Sequence, residues 1–384
     1  MIHVTQDVMG KIKNPLTNEN AFIFRFTLVN DLTGMTVQLI SYGAAIYSVT
    51  VKDGLGQPNQ VTLGYDEIDG YESAENPYFG ATVGRVCNRI HRGQFCLDGQ
   101  EIQLTRNQGK HHIHGGFNSF SRVPWGVKEI HRDGVTFCLI SPDKSEGYPG
   151  NVFATVRYAL SRENILNVYM TALTSKTTVV NMTNHSYFNL AGHDAGADAL
   201  YEHNITIFAN EITQTDEESI PTGEKVPVIC TNYDFRTERN LGEAMKSLGQ
   251  YSKGFDDNFC IHRYNLDDRD VIPVARALCP RSGLWMEVWS NQPGLQFYTS
   301  NFLPDASKNQ PPIIGKSRSP YHKHGAFCFE AQKFPDAPNH PNFPSIVLKP
   351  GTLYENMLSY KFGTCAPKVI TPESDPEPSL TTDL

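Results

Sequence analysis

Apolar and polar residues alternate along many short stretches of this chain. In one stretch, the apolar side chains that share a face are Val152, Ala154, Val156, Tyr158 and Leu160. The same alternation runs through residues 166–172 and 284–289. A period of two is typical of a β-strand that buries one face and leaves the other in water. The pattern therefore predicts an all-β fold.

Turn and helix signals agree with that prediction. Asp-Gly pairs at residues 53–54, 98–99 and 133–134 lie between alternating or apolar stretches, and such pairs suit type I′ hairpin turns. The best helical signal covers Thr237–Leu248, where leucine and methionine recur at helical spacing. Many strands with few short helices favour a large sandwich or barrel over an α/β fold.

Composition narrows the class of protein. The chain has 384 residues and a net charge of −8, which disfavours nucleic acid or an anionic membrane surface as the main partner. The first ten residues lack the apolar run of a signal peptide, and no stretch approaches the roughly 18 apolar residues of a membrane-spanning helix. We therefore expect a cytoplasmic protein with no membrane partner.

The cysteines and the C-terminal segment lead to two further expectations. None of the eight cysteines belongs to a C-x-x-C pair, so we expect reduced, mostly structural thiols and neither a zinc site nor a redox motif. Residues 367–384 contain four prolines, four acidic residues and no aromatic residue. This composition predicts a disordered tail after a single domain that covers residues 1–366.

The first polar cluster is GATVGRVCNRI, residues 80–90. Its two glycines lie in a β-prone segment and indicate a bend or a close approach of the backbone. Asn88 and Arg89 offer amide and guanidinium donors that suit ligand hydroxyl groups. The alternative is structural, with Arg85 and Arg89 simply paired with carboxylates.

Two further clusters contain histidines. Residues 111–116, HHIHGG, have spacing that can bind a metal, but no carboxylate follows until Glu129. The Gly115-Gly116 pair instead marks a loop that brings the backbone close to a neighbouring group. A histidine that reaches a ligand from this glycine loop is the better interpretation. Residues 184–192, NHSYFNLAG, combine amides, His185 and aromatic rings, which suits the hydroxyl groups and apolar C–H faces of a sugar. A strand end with a buried structural histidine is the alternative.

One carboxylate has an unusual position. In residues 326–332, AFCFEAQ, alternation puts Phe327 and Phe329 on one strand face and Glu330 on the other, among small neighbours. A partly buried glutamate has a raised pKa, which suits a general base. A carboxylate paired with an arginine is the alternative.

Seven segments, taken in order over about residues 5–365, resemble the aldose 1-epimerase (galactose mutarotase) family. They are GATVGRVCNRI (80–90), HIHGG (112–116), SPDKSEGYPG (141–150), NHSYFNLAG (184–192), GFDDNF (254–259), QPGLQFYTSNFL (292–303) and FEAQKFPDAPNHPNFPSIVLKPG (329–351). The resemblance implies a β-supersandwich of large, mostly antiparallel sheets with an open sugar-binding cleft. It also implies interconversion of the α and β anomers of free aldohexoses such as galactose and glucose, with no cofactor and no metal.

The resemblance further implies roles for individual residues. Glu330 occupies the place of the family's general base, and His185 that of its general acid. Five residues correspond to sugar-binding positions: Asn88, Arg89, His114, Asp256 and Gln296. The chain departs from the family at Asp257, where a histidine is usual, and this adds a negative charge beside Asp256.

Two alternative functions stay open. A hexose-6-phosphate 1-epimerase on the same fold needs an extra basic cluster for the phosphate, and only Arg85 and Arg89 are near the expected cleft. A non-catalytic sugar-binding or sensor protein has no need of both Glu330 and His185. The expected partner is a small-molecule sugar, and we expect a monomer or a weak dimer.

Overall fold

The structure is a computed structural model that describes residues 1–249 and 253–367. These residues form 29 β-strands and three short α-helices: α1 (Ile68–Glu72), α2 (Gly196–Tyr201) and α3 (Leu241–Ser247). The first ten strands are β1 (Ile2–Lys13), β2 (Asn20–Asn30), β3 (Thr36–Ile40), β4 (Ala45–Lys52), β5 (Pro58–Gln60), β6 (Thr82–Val83), β7 (Arg89–Ile90), β8 (Gln94–Leu97), β9 (Gln100–Gln103) and β10 (His112–Ile113). The next ten are β11 (Gly126–Ile130), β12 (Gly134–Ser141), β13 (Val152–Leu160), β14 (Ile165–Thr174), β15 (Thr178–Val179), β16 (Thr183–Asn184), β17 (Asn204–Ile207), β18 (Ala209–Thr215), β19 (Pro221–Pro227) and β20 (Arg239–Asn240). The last nine are β21 (Asp256–Ile261), β22 (Ile272–Leu278), β23 (Leu284–Ser290), β24 (Gly294–Tyr298), β25 (Ile313–Ile314), β26 (Pro320–Tyr321), β27 (Cys328–Gln332), β28 (Val347–Leu348) and β29 (Tyr354–Thr364).

Three sheets dominate the structure. The N-terminal sheet has the order β1-β2-β3-β4-β5, and the nine-stranded sheet has the order β11-β12-β13-β14-β29-β23-β22-β17-β20. A further five-stranded sheet, called here the site sheet, has the order β19-β18-β21-β24-β27. Neighbouring strands in all three sheets are antiparallel. The prediction of an all-β fold with few short helices is confirmed.

The main hydrophobic core lies between the nine-stranded sheet and the two five-stranded sheets. Fully buried side chains from all three meet there, such as Val37, Val156, Met286 and Phe297. Burying one such side chain contributes about 1.5–3 kcal/mol, so the shared core holds the sheets together as a sandwich. As predicted, the alternating stretches at residues 152–160, 166–172 and 284–289 form strands. All three strands belong to the nine-stranded sheet.

The three Asp-Gly pairs all lie between or beside paired strands, but only one forms the predicted type I′ turn. Asp98 and Gly99 have φ angles of 49° and 78° between β8 and β9. At 133–134, Gly134 already begins β12, so the turn precedes it. At 53–54, a longer connection joins β4 to β5, and the Asp53 side chain accepts hydrogen bonds from two backbone amides within it.

The predicted helix Thr237–Leu248 exists but begins later. Helix α3 begins at Leu241, because Arg239 and Asn240 form the short strand β20 and pair with β17. The Asn240 side chain then caps the helix by accepting a hydrogen bond from the backbone amide of Glu243 at 3.0 Å. A local spacing pattern does not reveal this pairing, since the partner strand is remote in sequence.

Two further expectations from the sequence concern membrane-spanning helices and the C-terminal tail. Within residues 1–249 and 253–367, no helix is long and apolar enough to cross a membrane. Residues 368–384, nearly all of the predicted tail, lie outside the described residues. The disordered tail and the single-domain boundary at residue 366 therefore stay predictions.

Candidate active site

The two faces of the site sheet have opposite character. Phe297 and Phe329 point into the main core and are at most 1% exposed. On the other face Gln296 lies directly opposite Glu330 in the β24–β27 pair, and Asp256 lies on the neighbouring strand β21. The predicted alternation around Glu330 is therefore confirmed, and it separates an apolar face from a polar one.

A cleft of about 290 Å³ opens over this polar face. Six of the seven predicted site residues line it: Asn88, Arg89, His114, His185, Asp256 and Glu330. The other lining residues are Pro77, Tyr78, Asn107, Gln108, Ile113, Tyr187, Tyr298 and Phe302. A concave site in which aromatic rings flank a few convergent polar groups is typical of small-molecule binding.

Glu330 and His185 face each other in the cleft. Glu330 Oε1 and His185 Nε2 are 3.6 Å apart, and the two residues are 2% and 4% exposed. The other heteroatoms, Glu330 Oε2 and His185 Nδ1, are buried and have no protein hydrogen-bond partner among the described residues. The pair is therefore free to exchange protons with a ligand instead of being committed to a structural network.

Burial perturbs both members of this pair in the same sense. It raises the pKa of Glu330 well above its usual range; the charge of Asp256 adds to this shift and that of Arg89 opposes it. Burial lowers the pKa of His185 to about 4. Each shift favours the uncharged form, since desolvation penalises the ion. Between these two pKa values the pair holds one proton in total.

Backbone pairing and ring packing fix the imidazole of His185. Its backbone amide donates to the carbonyl of Ala81 at 2.9 Å, and its carbonyl accepts from Gly80 at 3.0 Å. The imidazole lies roughly parallel to the rings of Tyr187 and Tyr78, with centroids 5.0 and 6.0 Å away. The ring is thereby aimed at Glu330 by two unrelated parts of the chain.

Arg89 and Asp256 form a second polar pair at the cleft. Arg89 Nη2 lies 3.5 Å from Asp256 Oδ2, and Arg89 Nε donates to Gln108 Oε1 at 3.0 Å. Gln296 Nε2 donates to Asp256 Oδ1 at 2.8 Å. Gln296 is 3% exposed and does not line the cleft, so the structure places it behind Asp256. Direct contact between Gln296 and a sugar stays a prediction.

Asn88 and His114, which also line the cleft, are held together by a hydrogen bond. The backbone amide of Asn88 donates to His114 Nδ1 at 3.2 Å, which assigns the proton of the neutral imidazole to Nε2. Burial lowers the pKa of His114 well below its usual range, so this ring is neutral. The Asn88 side-chain oxygen accepts from the Arg89 amide at 2.8 Å. His114 Nε2 and the Asn88 amide nitrogen are therefore both hydrogen-bond donors for a ligand.

The glycine pair after His114 permits a close approach of the backbone, as the sequence indicated. A Cβ on Gly115 would lie 1.9 Å from the carbonyl oxygen of Gly84. A Cβ on Gly116, which has a φ of 96°, would lie 2.1 Å from a carboxylate oxygen of Glu146. That carboxylate accepts from the next two backbone amides, of Phe117 and Asn118. The loop that carries His114 is therefore anchored on both sides.

Asp257 does not share the cleft with Asp256. In the β21–β24 pair Asp257 lies opposite Phe297, whose side chain points to the core, while Asp256 lies opposite Tyr298, which lines the cleft. Asp257 Oδ2 accepts from the Asp256 amide at 3.0 Å, and burial raises its pKa to about 7. The extra carboxylate that the sequence placed beside Asp256 is thus on the opposite face of the sheet.

Two other candidates are structural. Arg85 is 2% exposed, and its guanidinium donates to the backbone carbonyls of Ser141, Pro142 and Pro149. It makes no ion pair with a carboxylate of the described residues and does not line the cleft. His112 is bonded through its ring nitrogens to the carbonyl of Thr105 and the hydroxyl of Tyr148. In the described part of the chain, no group of three His, Cys, Asp or Glu side chains is arranged to hold a metal ion.

The individual aromatic residues of the cleft walls were not predicted from the sequence, although the aromatic rings of residues 184–192 were expected to suit a sugar. Tyr187 and Tyr298 follow His185 and Gln296 by two residues, so strand alternation carried a signal that they share those faces. Phe302 is 61% exposed although it is apolar, and its ring stacks near Tyr298 with a centroid distance of 6.1 Å. Tyr78 lies in a loop, and no periodic pattern marks it.

Comparisons with known proteins agree with this fold and cleft. The family model described as aldose 1-epimerase matches residues 25–361. Galactose mutarotase from Bos taurus is 41% identical over 362 residues, 94% of this chain and 99% of that protein. Aldose 1-epimerase from Haemophilus influenzae is 33% identical over 341 residues, 88% and 94% of the two chains. The solved structure of galactose 1-epimerase from Lactobacillus acidophilus superposes with a TM-score of 0.76 at 26% identity and covers 95% of this chain and 99% of that one.

These matches define an isomerase that acts on carbohydrates. Within that class, the chain belongs to the aldose 1-epimerase family. Its reaction is the interconversion of the α and β anomers of an aldose. The galactose mutarotase-like sandwich implied by the sequence resemblance is confirmed as well.

Proposed function

We propose that Glu330 is the general base and His185 the general acid of this epimerase, and that free aldohexoses such as galactose and glucose are its substrates. The observation that carries the proposal is the 3.6 Å approach of the two side chains inside one sugar-sized cleft. Both side chains are buried, and among the described residues neither makes an ion pair or a hydrogen bond with a third side chain.

In the proposed reaction, the carboxylate of Glu330 takes the proton of the C1 hydroxyl while the imidazolium of His185 protonates the ring oxygen. The bond between C1 and the ring oxygen breaks, which leaves an open-chain aldehyde. After rotation about the C1–C2 bond, the C5 hydroxyl attacks the other face of the carbonyl and returns its proton to His185. As the ring closes, Glu330 returns its proton to the carbonyl oxygen, which becomes the new C1 hydroxyl, so every proton is restored.

The electrostatics of the site support this exchange. The reactive state, a carboxylate and an imidazolium, contains the same single proton as the uncharged pair that burial favours. Moving that proton between Oε1 and Nε2 therefore requires no exchange with solvent. Two groups that are positioned to transfer protons in the transition state each contribute roughly 10²–10⁴-fold in rate.

The remaining polar groups suit a binding role. Arg89 and Asp256 present a donor and an acceptor that are already held by Gln108 and Gln296. His114 and Asn88 add further donors in the same cleft. We propose that these groups hold the sugar hydroxyls while the aromatic side chains of the cleft pack against its C–H surface.

The two alternative functions find less support. Arg89 is the single Lys or Arg among the described residues that line the cleft, and its guanidinium already contacts Gln108 and Asp256. Arg85 lies elsewhere, so the described residues that line the cleft provide no basic cluster for a phosphate. A sensor protein does not require an acid beside a base, and both Glu330 and His185 are in place.

We also propose that the protein works in the cytoplasm. All eight cysteines are free, and Cys87, Cys260, Cys279 and Cys328 are buried without a disulfide. Unpaired thiols of this kind are typical of a reducing compartment. An oligomeric state of monomer or weak dimer is kept as an expectation, which sedimentation velocity at several protein concentrations will test.

The test of the acid–base pair is polarimetry of freshly dissolved α-D-galactose and α-D-glucose. We expect Glu330→Gln and His185→Asn each to lower kcat by roughly 10²–10⁴-fold, with a much smaller change in sugar affinity measured by calorimetry. Glu287→Gln and His262→Asn, on other surfaces of the protein, are the matched controls and should keep wild-type rates. A rate near that of the wild type in either Glu330→Gln or His185→Asn contradicts the assignment.

A further inference from the structure

A loop at residues 73–78 separates the catalytic cleft from a neighbouring cavity of about 470 Å³. Tyr78 lines both spaces and Pro77 lines the cleft, so this loop forms part of the cleft wall. Tyr78 has a φ of 67°, in the left-handed region that a bulky side chain rarely adopts. Such strain persists only where the surrounding structure enforces it.

Arg122 holds this loop through hydrogen bonds. Its Nη1 donates to the carbonyl of Ser73 at 3.1 Å, and its Nη2 donates to the carbonyls of Asn76 and Ala74 at 3.1 and 3.4 Å. Its guanidinium carbon also lies over the ring of Tyr78, 5.0 Å from the centroid. One side chain therefore holds three carbonyls of the loop and the aromatic ring at its end.

Arg122 is itself held by the core. It ends a turn whose first residue, Phe120, packs against Gly84, where an added Cβ would lie 2.4 Å from the Phe120 ring. The indole of Trp125 is 3% exposed and donates to the carbonyl of Phe120 at 2.8 Å. These contacts fix the backbone of the turn that carries Arg122. Through the Arg122 side chain, the loop at residues 73–78 is therefore positioned relative to the core.

The ring at the end of this connection touches the proposed catalytic apparatus. Tyr78 lies 4.7 Å from the ring of His114 and 6.0 Å from that of His185, centroid to centroid, and is nearly parallel to His185. We propose that Arg122 is a positioning residue for the reaction. It holds Tyr78 in its strained conformation, and Tyr78 in turn orients the sugar and the imidazole of His185 relative to each other. This inference rests on the proposed function.

The bonding of Arg122 argues against a direct role with a ligand. Its two terminal nitrogens already donate to backbone carbonyls, which leaves it poorly suited to recognise a phosphate or a sugar hydroxyl. A planar fork that reaches several carbonyls at once is specific to arginine, and a lysine ammonium does not reproduce it. Arg122→Lys therefore keeps the charge and removes the clamp.

The experiment is a double-mutant cycle between Arg122 and Tyr78, measured by galactose polarimetry. We expect Arg122→Met, Arg122→Lys and Tyr78→Ala each to lower kcat/KM by about 10- to 100-fold, since a small misplacement of reacting groups has effects of this size. We expect the double variant Arg122→Met/Tyr78→Ala to lie within about threefold of Tyr78→Ala alone, because the clamp has nothing left to position. Effects that multiply in the double variant, or an Arg122→Lys enzyme at the wild-type rate, overturn the proposal.

The matched control is Arg263→Met. Arg263 also holds a loop through backbone carbonyls, those of Asp267, Asp270 and Ser290, but lies outside the cleft. We expect it to lower thermal stability about as much as Arg122→Met while kcat/KM stays within about twofold of the wild type. Equal losses of kcat/KM in the two variants would reduce Arg122 to a general stabilising role and overturn the inference.

A readout that does not depend on turnover separates this inference from the proposed function. In protein labelled with ¹³C-histidine, the ring signals of His114 and His185 are assigned with His114→Gln and His185→Asn. Arg122→Met should shift both signals in the sugar-free protein, because the Tyr78 ring moves, whereas Arg263→Met should leave them in place. Unmoved signals overturn the positioning role. Shifted signals in a protein whose wild type does not mutarotate galactose or glucose overturn the proposed function alone.

Discussion

The substitution Asp256→Asn tests the proposed role of Asp256 in sugar binding separately from the acid–base chemistry. The substitution keeps the size of the side chain and removes its charge, at a position that accepts from Gln296 Nε2 at 2.8 Å and lies 3.5 Å from Arg89 Nη2. The asparagine oxygen is still able to accept the Gln296 hydrogen bond. The change therefore leaves the shape of the cleft intact while a sugar hydroxyl loses an ionised acceptor.

The expected magnitude follows from that single bond. A hydrogen bond to a charged group contributes about 1.5–3 kcal/mol, and one between neutral groups about 0.5–1.5 kcal/mol. The difference, about 1–1.5 kcal/mol, corresponds to roughly a five- to tenfold change in an equilibrium constant. Because a hydroxyl that takes no part in the chemistry is bound equally before and during the reaction, the loss should appear in KM and leave kcat within about threefold.

The assay is the initial rate of mutarotation by polarimetry over a range of galactose concentrations that brackets KM. Asp257→Asn is the matched control, since it makes the same chemical change one residue away, on the core side of the sheet. We expect its KM to stay within about twofold of the wild-type value. A 10²-fold loss of kcat with KM unchanged in Asp256→Asn, or equal effects of the two substitutions, would refute the assignment of Asp256 to binding.

Three more outcomes follow from the same structure. Arg85→Met should lower the free energy of unfolding by about 2–4 kcal/mol in urea denaturation and leave KM unchanged. The substitution leaves the carbonyls of Ser141, Pro142 and Pro149 without their hydrogen-bond donor. Part of this loss is offset because a buried cation, whose pKa burial lowers to about 10, is removed. The pH profile of kcat/KM should be bell-shaped. Activity falls as the pH drops towards 4, because His185 is then protonated and the Glu330–His185 pair holds two protons. Activity falls again above the raised pKa of Glu330, because the pair then loses its only proton. Activity that kept rising at high pH would contradict a pair that works with one proton. In Asp256→Asn the alkaline limb should move to lower pH, because a charge that raises the pKa of Glu330 is gone.

The different environments of the two arginines in residues 80–90 are not predictable from the sequence alone. Arg85 and Arg89 have the same chemistry and lie four residues apart, yet Arg89 lines the cleft and Arg85 is buried against the 141–149 segment. Which carbonyls and carboxylates surround each guanidinium depends on contacts that are remote in sequence. Tyr78 was missed for the same reason, since its role comes from a loop conformation and from Arg122.

Local patterns in the sequence determined the strands, the two faces around Glu330, the close-packed glycine loop after His114 and the membership of a carbohydrate isomerase family. These follow from alternation and from residue identity, which act over a few residues. Only the tertiary structure decided that Glu330 and His185 meet at 3.6 Å, that Gln296 supports Asp256 from behind, and that Asp257 faces away. The reason is that strand register and loop packing set distances between residues far apart in the chain, and burial by the whole fold then sets their pKa values.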